Sequence, residues 1–403
     1  MDIAIAGAGM GGLAAATALR QSGHSVTVFD QFDAPAPVGS GLVVQPVGLE
    51  VLDNLGALPA AMGWGTRIHR MFGHEVRTGR PVLDVAYDAP GDPRFGLAIH
   101  RAALFQALHE AAQATGVQIE SGRRVTGRDG ATLLFEDGRE GPFDLIVDAT
   151  GTGSLLSPMR ARPLGYGALW ATVDWPEDTE LPRNELRQAY RRADRMLGVL
   201  PVGRIPGQTG FRASIFWSLP ADAYDDWRSG GLSAWQAEAV SHWPAFAPFV
   251  EQITDADQMT MARYTHGTLR RPFEEGLVYI GDAAHRASPQ LGQGANMALL
   301  DAWALARALD IARGDVALAL GWYAQARRWH VRGYQMMSRL FTPQYQGNSR
   351  WLPVLRDRAL YPLSTVRPVQ RILTRLVCGD LLPPLGSLAH EPRSSDHPNN
   401  EPT

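Results

Sequence analysis

The chain has 403 residues, 45% of them hydrophobic, and a formal net charge of −3. It can therefore bury a substantial core in about two domains, and it lacks the basic balance of a nucleic-acid-binding protein. All 38 Lys+Arg residues are arginine, which excludes Schiff-base chemistry and a phosphate-loop lysine. The lone cysteine, Cys378, allows no internal disulfide and no cysteine zinc site. With no targeting segment and no run of ~18 apolar residues, we expect a cytoplasmic protein without membrane association or a bound metal.

The first elements predict a dinucleotide site. A strand over residues 3–6 enters a turn with Gly7, Gly9, Gly11 and Gly12, a helix closed by Gly23 follows, and a strand over 26–29 ends at Asp30. Glycines spaced as GxGxxG permit a tight turn, close approach of the backbone to a pyrophosphate and close helix packing, and an acid ~20 residues on takes the ribose hydroxyls. The alternative is a plain glycine turn in an α/β protein.

Residues 38–116 continue this pattern with an insertion. A turn at Gly39 and Gly41, a strand over 42–44 and a helix over 48–55 come first, and the turn is either cofactor-facing or a simple loop. Strand-like residues 71–96 are predicted to belong to an inserted second domain. The next helix begins at Arg101, where a cation opposes the helix dipole. Two explanations for this arginine are open: it pairs with a pyrophosphate, or it is an ordinary surface residue.

The central part of the chain predicts mostly β-structure. Residues 117–119, a strand at Val125 and a hairpin over 131–141 are expected to form an antiparallel appendage, and a strand over 145–147 returns to the main sheet. Beyond residue 163, predicted strands over 168–174, 197–202 and 211–219 and predicted helices over 183–195 and 234–240 indicate an α+β layer. Its aromatic residues favour a core but could also hold a planar ring; they are Trp170, Trp175, Phe211, Phe216 and Trp217.

The stretch from Gly281 to Asp301 carries most of the functional signal. A buried strand over 277–280 places Asp282 at a strand's carboxyl end, where a carboxylate can bind sugar or polyol hydroxyls. Pro289, Gly292 and Gly294 predict a loop that approaches a ligand, followed by a helix to about residue 313. Because the first turn of a helix favours negative charge, the anionic edge of a reduced flavin suits this position.

The C-terminal part is predicted to be helical. A long amphipathic helix over 316–340 precedes short, proline-broken helices over 351–385, and the polar tail from residue 390 is expected to be disordered. Arginines interleaved with leucines in 350–375 favour packing or self-association, for instance as a homodimer, over contact with an acidic membrane surface.

Three motifs resemble one enzyme family. GAGMGGLAAATALRQSGHSVTVFD, HRAALFQAL and GDAAHRASPQLGQGANMALLDAWALARAL resemble, in order and spacing, the single-component FAD-dependent aromatic hydroxylases of the p-hydroxybenzoate hydroxylase fold, over about residues 1–345. The resemblance implies an α/β fold in which a Rossmann-like FAD-binding domain (1–70, 97–162 and 275–345) interleaves with an α+β substrate domain built on a mixed sheet (71–96 and 163–274). A helical segment (346–389) and the tail (390–403) follow.

The resemblance also implies roles for individual residues. The glycine turn and Asp30 would hold the ADP half of FAD, Arg101 its pyrophosphate, the Val125 backbone its adenine and Asp282 its ribityl chain. Pro289 would lie beside the reactive edge of the flavin. Its pyrimidine side would be wrapped by Gly292, Gly294, Ala295 and Asn296.

The implied reaction is the hydroxylation of a phenol-like or heteroaromatic ring. NAD(P)H, a transient co-substrate, reduces FAD, O₂ adds to the reduced flavin as a C4a-hydroperoxide, and one oxygen atom passes to the ring. One departure concerns reduction, because Thr150 stands where the family usually has aspartate, with Asp148 two residues earlier. Either the Thr150 hydroxyl substitutes, or electrons arrive by another route.

No residue is predicted as the catalytic base. His285 is expected to make a structural hydrogen bond near the flavin rather than to titrate, and the other candidates, Tyr190, Tyr264 and His266, qualify only by position. Two other functions remain open: an FAD-dependent oxidase or dehydrogenase on the same scaffold, and a non-catalytic flavin-binding protein.

Overall fold

The computed structural model describes residues 1–33, 39–88 and 92–389. The predictions for residue 38, for residues 89–91 and for the tail at 390–403 lie outside the described residues. The strands are, in chain order, β1 Asp2–Ala6, β2 Ser25–Phe29, β3 Gly41–Val44, β4 Thr66–Ile68, β5 Arg70–Glu75, β6 Pro81–Ala86, β7 Gly96–His100, β8 Gln118–Glu120, β9 Val125–Asp129, β10 Thr132–Phe135, β11 Gly138–Glu140, β12 Leu145–Asp148, β13 Arg162–Asp174, β14 Glu185–Arg191, β15 Arg195–Gly203, β16 Arg212–Pro220, β17 Thr260–Thr268, β18 Phe273–Glu274, β19 Leu277–Tyr279 and β20 His285–Arg286.

The helices cover the faces of these sheets and form the C-terminal part. They are α1 Met10–Gln21, α2 Pro46–Asn54, α3 Leu58–Trp64, α4 Arg101–Ala114, α5 Tyr224–Gly230, α6 Leu232–His242, α7 Ala247–Val250, α8 Gly294–Ala312, α9 Val316–Tyr345, α10 Leu352–Leu355, α11 Tyr361–Ser364 and α12 Arg367–Cys378. No helix among these described residues is long and apolar enough to cross a membrane.

The first layer is a six-stranded sheet in the order β18-β19-β12-β1-β2-β8. All of its pairs are parallel except β18 with β19. Its central strands are short apolar runs because they are buried on both faces. Side chains of β1 pack on one face against α1, α4 and α8, and those of the opposite face pack against the small antiparallel sheet β11-β10-β9.

The second layer is an eight-stranded sheet in the order β20-β17-β13-β16-β15-β14-β5-β6. Only β14 and β5 run parallel within it. One face packs on α6 and α7 through an aromatic cluster. A second small sheet, β3-β7-β4, ends at β7, which leads directly into α4.

Two predicted elements are wrong. The segment predicted as a helix over 183–195 contains the strand β14, because pairing with β15 and β5 outweighs the helix preference of its Arg, Gln and Glu residues. The strand at 117–119 was assigned to the antiparallel appendage, but β8 pairs in parallel with β2 at the edge of the main sheet. Helix α3 and strand β17 were not predicted.

The arginines of the C-terminal segment do not share one environment. Arg356 is 1% exposed and donates to the backbone oxygens of Arg192 and Gln344 at 3.0 and 2.9 Å, so it packs as predicted. Arg358, Arg367 and Arg371 are exposed.

Candidate functional site

Four strands of the parallel sheet end at one edge. Ala6 pairs with Phe29 and with Asp148, and Asp148 pairs with Tyr279. The segments after these strands are the Gly7–Gly12 turn, Asp30, the 149–154 loop and the turn Gly281–Ala283. Ligands of open α/β sheets bind outside the carboxyl ends of strands, so this edge is the candidate site.

The glycine turn has the shape that the sequence predicts. Gly7 has φ +98°, and a Cβ there would lie 2.8 Å from the Ala149 oxygen. A Cβ on Gly12 would lie 1.9 Å from the Gly7 oxygen, while one on Gly9 would meet no atom within 4 Å. The first N–H groups of α1 have no side-chain cap, so they are available to donate to an anion. Gly11 lies close to Ala298 and brings α1 against α8.

Asp30 lies beside this turn and is partly exposed. Its Oδ2 accepts from the Ala8 N–H at 2.6 Å and its Oδ1 from the Phe32 N–H at 3.0 Å. A carboxylate has about four acceptor positions, so capacity remains for ribose hydroxyls. Val125 begins β9 and packs in the same cluster as Phe29, directly before Asp30.

Arg101 is exposed at the first position of α4. Among the residues that the structure describes, no carboxylate lies within 4.0 Å of its guanidinium. Gly39, at φ +132°, leaves room for it, since a Cβ there would lie 2.5 Å from the Arg101 Cδ. Gly41 donates its N–H to Ser214 Oγ at 2.6 Å, and a Cβ on Gly41 would lie 2.2 Å from Val202. The two glycines therefore fit β3 between Arg101 and the eight-stranded sheet.

The loop before α8 is fixed by Asn296, which is fully buried. Its Nδ2 donates to the oxygens of Gly292 and Val43 at 2.9 and 3.2 Å, and its Oδ1 accepts from the Gln45 N–H at 2.8 Å. With its side chain used in this way, only the backbone N–H of Asn296 is left for a ligand. Helix α8 has no side-chain N-cap, so the N–H groups of Gly294 and Ala295 are also open.

Asp282 and Pro289 are both exposed near this loop. The Asp282 carboxylate has no hydrogen-bond or ion-pair partner within the described part of the chain, while its backbone oxygen accepts from Arg286 Nε at 2.8 Å. Pro289 begins a 3₁₀ turn, Pro289–Leu291, that ends at Gly292 with φ +60°. The exposed carboxylate lies in the turn that follows β19, and the 3₁₀ turn lies between that turn and α8.

Behind the turn lies a buried network that the sequence did not predict. Asp301 is fully buried and accepts from the Gly281 N–H at 2.9 Å, His285 Nε2 at 2.6 Å and Arg327 Nε at 2.8 Å. Burial alone would raise the pKa of Asp301, but the charges and hydrogen bonds of His285 and Arg327 outweigh it and lower the pKa to about 2. The structural hydrogen bond predicted for His285 is confirmed. The sequence signal for Asp301 is an acid flanked by apolar residues in the first half of α8.

Thr150 and Asp148 interact directly. Asp148 is fully buried and accepts from Thr150 Oγ1 at 2.6 Å, from the Thr150 N–H at 3.0 Å and from Ser154 Oγ at 2.5 Å. The carboxylate at this strand end therefore folds the 149–154 loop back on itself. The Thr150 hydroxyl proton is engaged, and only its lone pairs remain for another ligand.

The aromatic residues of the eight-stranded sheet divide between its faces. Trp175, Phe211 and Trp217 pack on the side of α6 and α7, as the core interpretation expects. Phe216 and Trp170 lie on the other face with ring centroids 4.7 Å apart. Trp170 Nε1 donates to Tyr264 Oη at 2.9 Å.

This second face lies against the loop before α8. Gln290 Nε2 approaches Met196 Sδ at 3.9 Å, and the Ser288 N–H donates to His266 Nε2 at 2.9 Å. Burial raises the pKa of Tyr264 to about 12, although the Trp170 hydrogen bond and the Arg101 charge act in the opposite direction, so the phenol is protonated at neutral pH. Trp170, Phe216 and the protonated Tyr264 phenol are thus the aromatic groups of the sheet face that lies against this loop.

The other two positional candidates have structural contacts. His266 holds Ser288, and burial together with the Arg339 charge lowers its pKa. Tyr190 hydrogen-bonds to Gln188 and packs against Tyr345 with the two rings tilted. In the described ranges no cluster of three His, Cys, Asp or Glu residues could hold a metal ion.

Comparisons with known proteins agree with this geometry. The FAD binding domain family matches residues 1–155 and 168–331. The FAD-dependent urate hydroxylase of Klebsiella pneumoniae is 28% identical over 84% of this chain and 89% of its own. A 3-amino-4-hydroxybenzoate 2-monooxygenase of Streptomyces platensis is 29% identical over 89% of this chain and 92% of its own.

A solved structure supports the same fold. The structure of Klebsiella pneumoniae HpxO with FAD and uric acid matches with a TM-score of 0.77 at 23% identity, over 94% of this chain and 97% of that one. The predicted fold class and the FAD cofactor are confirmed. Since the family match covers more than half of the residues, the chain belongs to the FAD binding domain family, among the FAD-dependent aromatic monooxygenases.

Proposed function

We propose that the protein is an FAD-dependent monooxygenase that hydroxylates an aromatic or heteroaromatic compound with O₂ and NAD(P)H. One observation carries the proposal: three motifs far apart in sequence meet at one edge. The Gly7–Gly12 turn adjoins the strand end at Asp148, Arg101 adjoins Gly39, and Asn296 bonds to the backbone at Val43 and Gln45. Bound FAD would supply the oxygen chemistry.

The residues at this edge have separable tasks toward FAD. The open N–H groups at the start of α1 and the Arg101 guanidinium would neutralise the pyrophosphate. Asp30 and Asp282 would accept from the hydroxyls of the ribose and the ribityl chain. The N–H groups of residues 294–296 would donate to the flavin edge that gains negative charge on reduction.

The substrate would lie on the sheet face that bears Trp170, Phe216 and Tyr264. Two aromatic rings and a protonated phenol offer stacking and one hydrogen bond, which suits a flat ring with a polar substituent. The domain division proposed from the sequence places this face in the 163–274 segment and the cofactor edge in the segments around it. The anchored 288–292 loop would cover the ring and exclude water.

Anaerobic stopped-flow reduction by NADH and NADPH tests the proposal. The purified yellow protein is mixed with each nicotinamide, with and without a panel of phenolic and heteroaromatic acids, urate included. We expect one compound to accelerate flavin bleaching at least ~10-fold and a hydroxylated product to form after O₂ is admitted. Direct bleaching by a substrate without nicotinamide, with H₂O₂ as the main product, would instead identify the oxidase alternative.

The same reduction experiment tests whether the Thr150 hydroxyl replaces the aspartate of the family. Its proton is engaged by Asp148, so the alternative route for electrons predicts slow reduction by both nicotinamides even with substrate present. Fast reduction in wild type and slow reduction in Thr150→Val would show that the hydroxyl substitutes for the aspartate of the family.

A further inference from the structure

A second concave region lies outside the strand-end edge. It is a trough between the 268–271 segment after β17 and the outer face of α9. Its larger lobe has a volume of about 530 Å³ and is lined by Thr268, Arg270, Arg332, Gln335, Met336 and Arg339. A smaller lobe of about 260 Å³ continues along α9 and is lined by Arg270, Arg271 and Arg328.

The trough concentrates positive charge. Its five arginines are exposed, and no carboxylate of the described ranges lies within 4.0 Å of any of them. Arg327, on the inner face of the same helix, pairs with Asp301 instead. Like charges at such spacing repel one another and reduce stability. A surface that keeps them together without acids is suited to an anion.

The spacing of the charges indicates more than one anionic group. Arg332 and Arg339 are seven residues apart on α9, so their backbones are ~10 Å apart along the axis. Arg270 faces them from the opposite wall, and Arg271 and Arg328 extend the charge into the smaller lobe. The planar guanidinium fork suits phosphate in particular.

The floor of the trough is polar. Thr268 Oγ1 and Gln335 Oε1 are buried and have no hydrogen-bond partner among the described atoms. The Gln335 amide nitrogen already donates to the Arg286 oxygen at 2.9 Å. Both residues line the larger lobe, and a change of rotamer would turn these atoms toward a ligand. Ribose phosphates carry hydroxyl groups for them as well as phosphates for the arginines.

The trough also borders the candidate site. Thr268 pairs with His285 in the sheet, and Gln335 holds Arg286, so its floor is the segment that continues through Ser288 to Pro289. A ligand in the trough is thus separated from the proposed flavin loop by a short stretch of chain.

We propose that this trough binds the adenosine-phosphate half of NADPH, with its 2′-phosphate and pyrophosphate on the arginines. The inference rests on the proposed function, which requires a nicotinamide donor while the one dinucleotide fingerprint serves FAD. NADPH carries one phosphate group more than NADH, so a trough with five arginines favours NADPH as the reductant.

Calorimetry with the FAD-loaded enzyme tests this without turnover, with 2′,5′-ADP and 5′-AMP as probes. Wild type should bind 2′,5′-ADP at least ~10-fold more tightly than 5′-AMP, because each charge-assisted bond contributes substantially. Arg332→Gln/Arg339→Gln should weaken 2′,5′-ADP at least ~10-fold. The matched control Arg371→Gln, an exposed arginine of α12 outside the trough, should leave it unchanged.

Steady-state kinetics distinguish a defect in the trough from a defect in the flavin site. The double variant should raise the KM for NADPH at least ~10-fold, change the KM for NADH less than ~3-fold, and keep kcat. Equal binding of 2′,5′-ADP to wild type and double variant, an equal loss in Arg371→Gln, or inorganic pyrophosphate binding as tightly as 2′,5′-ADP would overturn the proposal.

The two proposals fail in different ways. If NADPH reduces the flavin and the arginine variants reduce equally well, the monooxygenase assignment stands and the trough assignment falls. If 2′,5′-ADP binds through the arginines but neither nicotinamide bleaches the flavin, the site for the nucleotide stands and the monooxygenase assignment falls.

Discussion

The substitution Asp301→Asn tests whether the buried network holds the cofactor turn. An amide has one acceptor oxygen, while Gly281 N–H, His285 and Arg327 all donate to the carboxylate. The amide nitrogen would face donors that it cannot accept from. Arg327, with a side chain 3% exposed, would lose its ion-pair partner.

Two estimates of the cost agree in scale. A carboxylate whose pKa falls from 3.8 to about 2 on folding contributes ~2 kcal/mol at neutral pH. Removing one partner of a buried ion pair costs ~3–5 kcal/mol. We expect a loss of ~3 kcal/mol, which corresponds to a Tm lower by ~3–4 °C at ~2.1 cal/mol/K per residue.

The pH dependence and the controls make the expectation specific. Since the folded pKa lies below the unfolded one, the stabilisation is fully present above about pH 4 and is lost as pH falls through 2. The difference between wild type and Asp301→Asn in urea unfolding should therefore be constant from pH 7 to 5. Asp84→Asn, which breaks a partly exposed pair with Arg70, should cost less than ~1 kcal/mol.

Removing the second charge should reverse part of the effect. Asp301→Asn/Arg327→Met leaves no unpaired buried charge and should recover at least ~1 kcal/mol. FAD should also be released more readily from the single variant, because the turn that carries Asp282 loses its support. A urea midpoint equal to that of wild type, with unchanged FAD affinity, would refute the reasoning.

Three further outcomes follow from the same contacts. Gly12→Ala, whose Cβ would meet the Gly7 oxygen at 1.9 Å, should abolish FAD retention on gel filtration, whereas Gly63→Ala, with no atom within 4 Å, should retain it. Thr150→Asp should lower Tm more at pH 7 than at pH 4, because a second carboxylate would face buried Asp148. Burial, followed by the charge of Arg327, lowers the pKa of His330 to about 3, so wild type should lose ~1.4 kcal/mol per pH unit below pH 6.5 relative to His330→Gln, measured by urea unfolding at pH 7.5 and 5.

Features decided by neighbouring residues could be predicted from the sequence. The GxGxxG turn depends on steric limits within a few residues, and the structure shows the close approach at Gly12 that requires glycine. The strand after Asp144 and helices α1, α4 and α8 likewise follow from local apolar patterns. The three motifs that carry the family resemblance are local in the same way, so the resemblance could predict the residues at the cofactor edge.

Features decided by distant pairing could not be predicted. Strand β14 pairs with β15, which follows it directly, and with β5, which is remote in sequence, and nothing local distinguishes it from a helix with charged faces. The partner of Asp301 on α9 and the backbone partners of Asn296 depend on how helices and strands meet in three dimensions. The sequence predicted that Asn296 lies near the flavin. It did not show that the Asn296 side chain fixes the loop before α8.

The anchoring of the loop before α8 indicates where substrate choice lies. Its first part is tied to His266 through Ser288, its end to β3 through Asn296, and the preceding turn to α8 through Asp301. A loop held at three points is preorganised for one ligand, the flavin, and has little freedom to select a substrate. Trp170 and Phe216, on the sheet face opposite the loop, take no part in these three anchors. Differences in substrate among the relatives should therefore map to this sheet face, and substitutions at Trp170 should change the accepted ring while FAD binding stays intact.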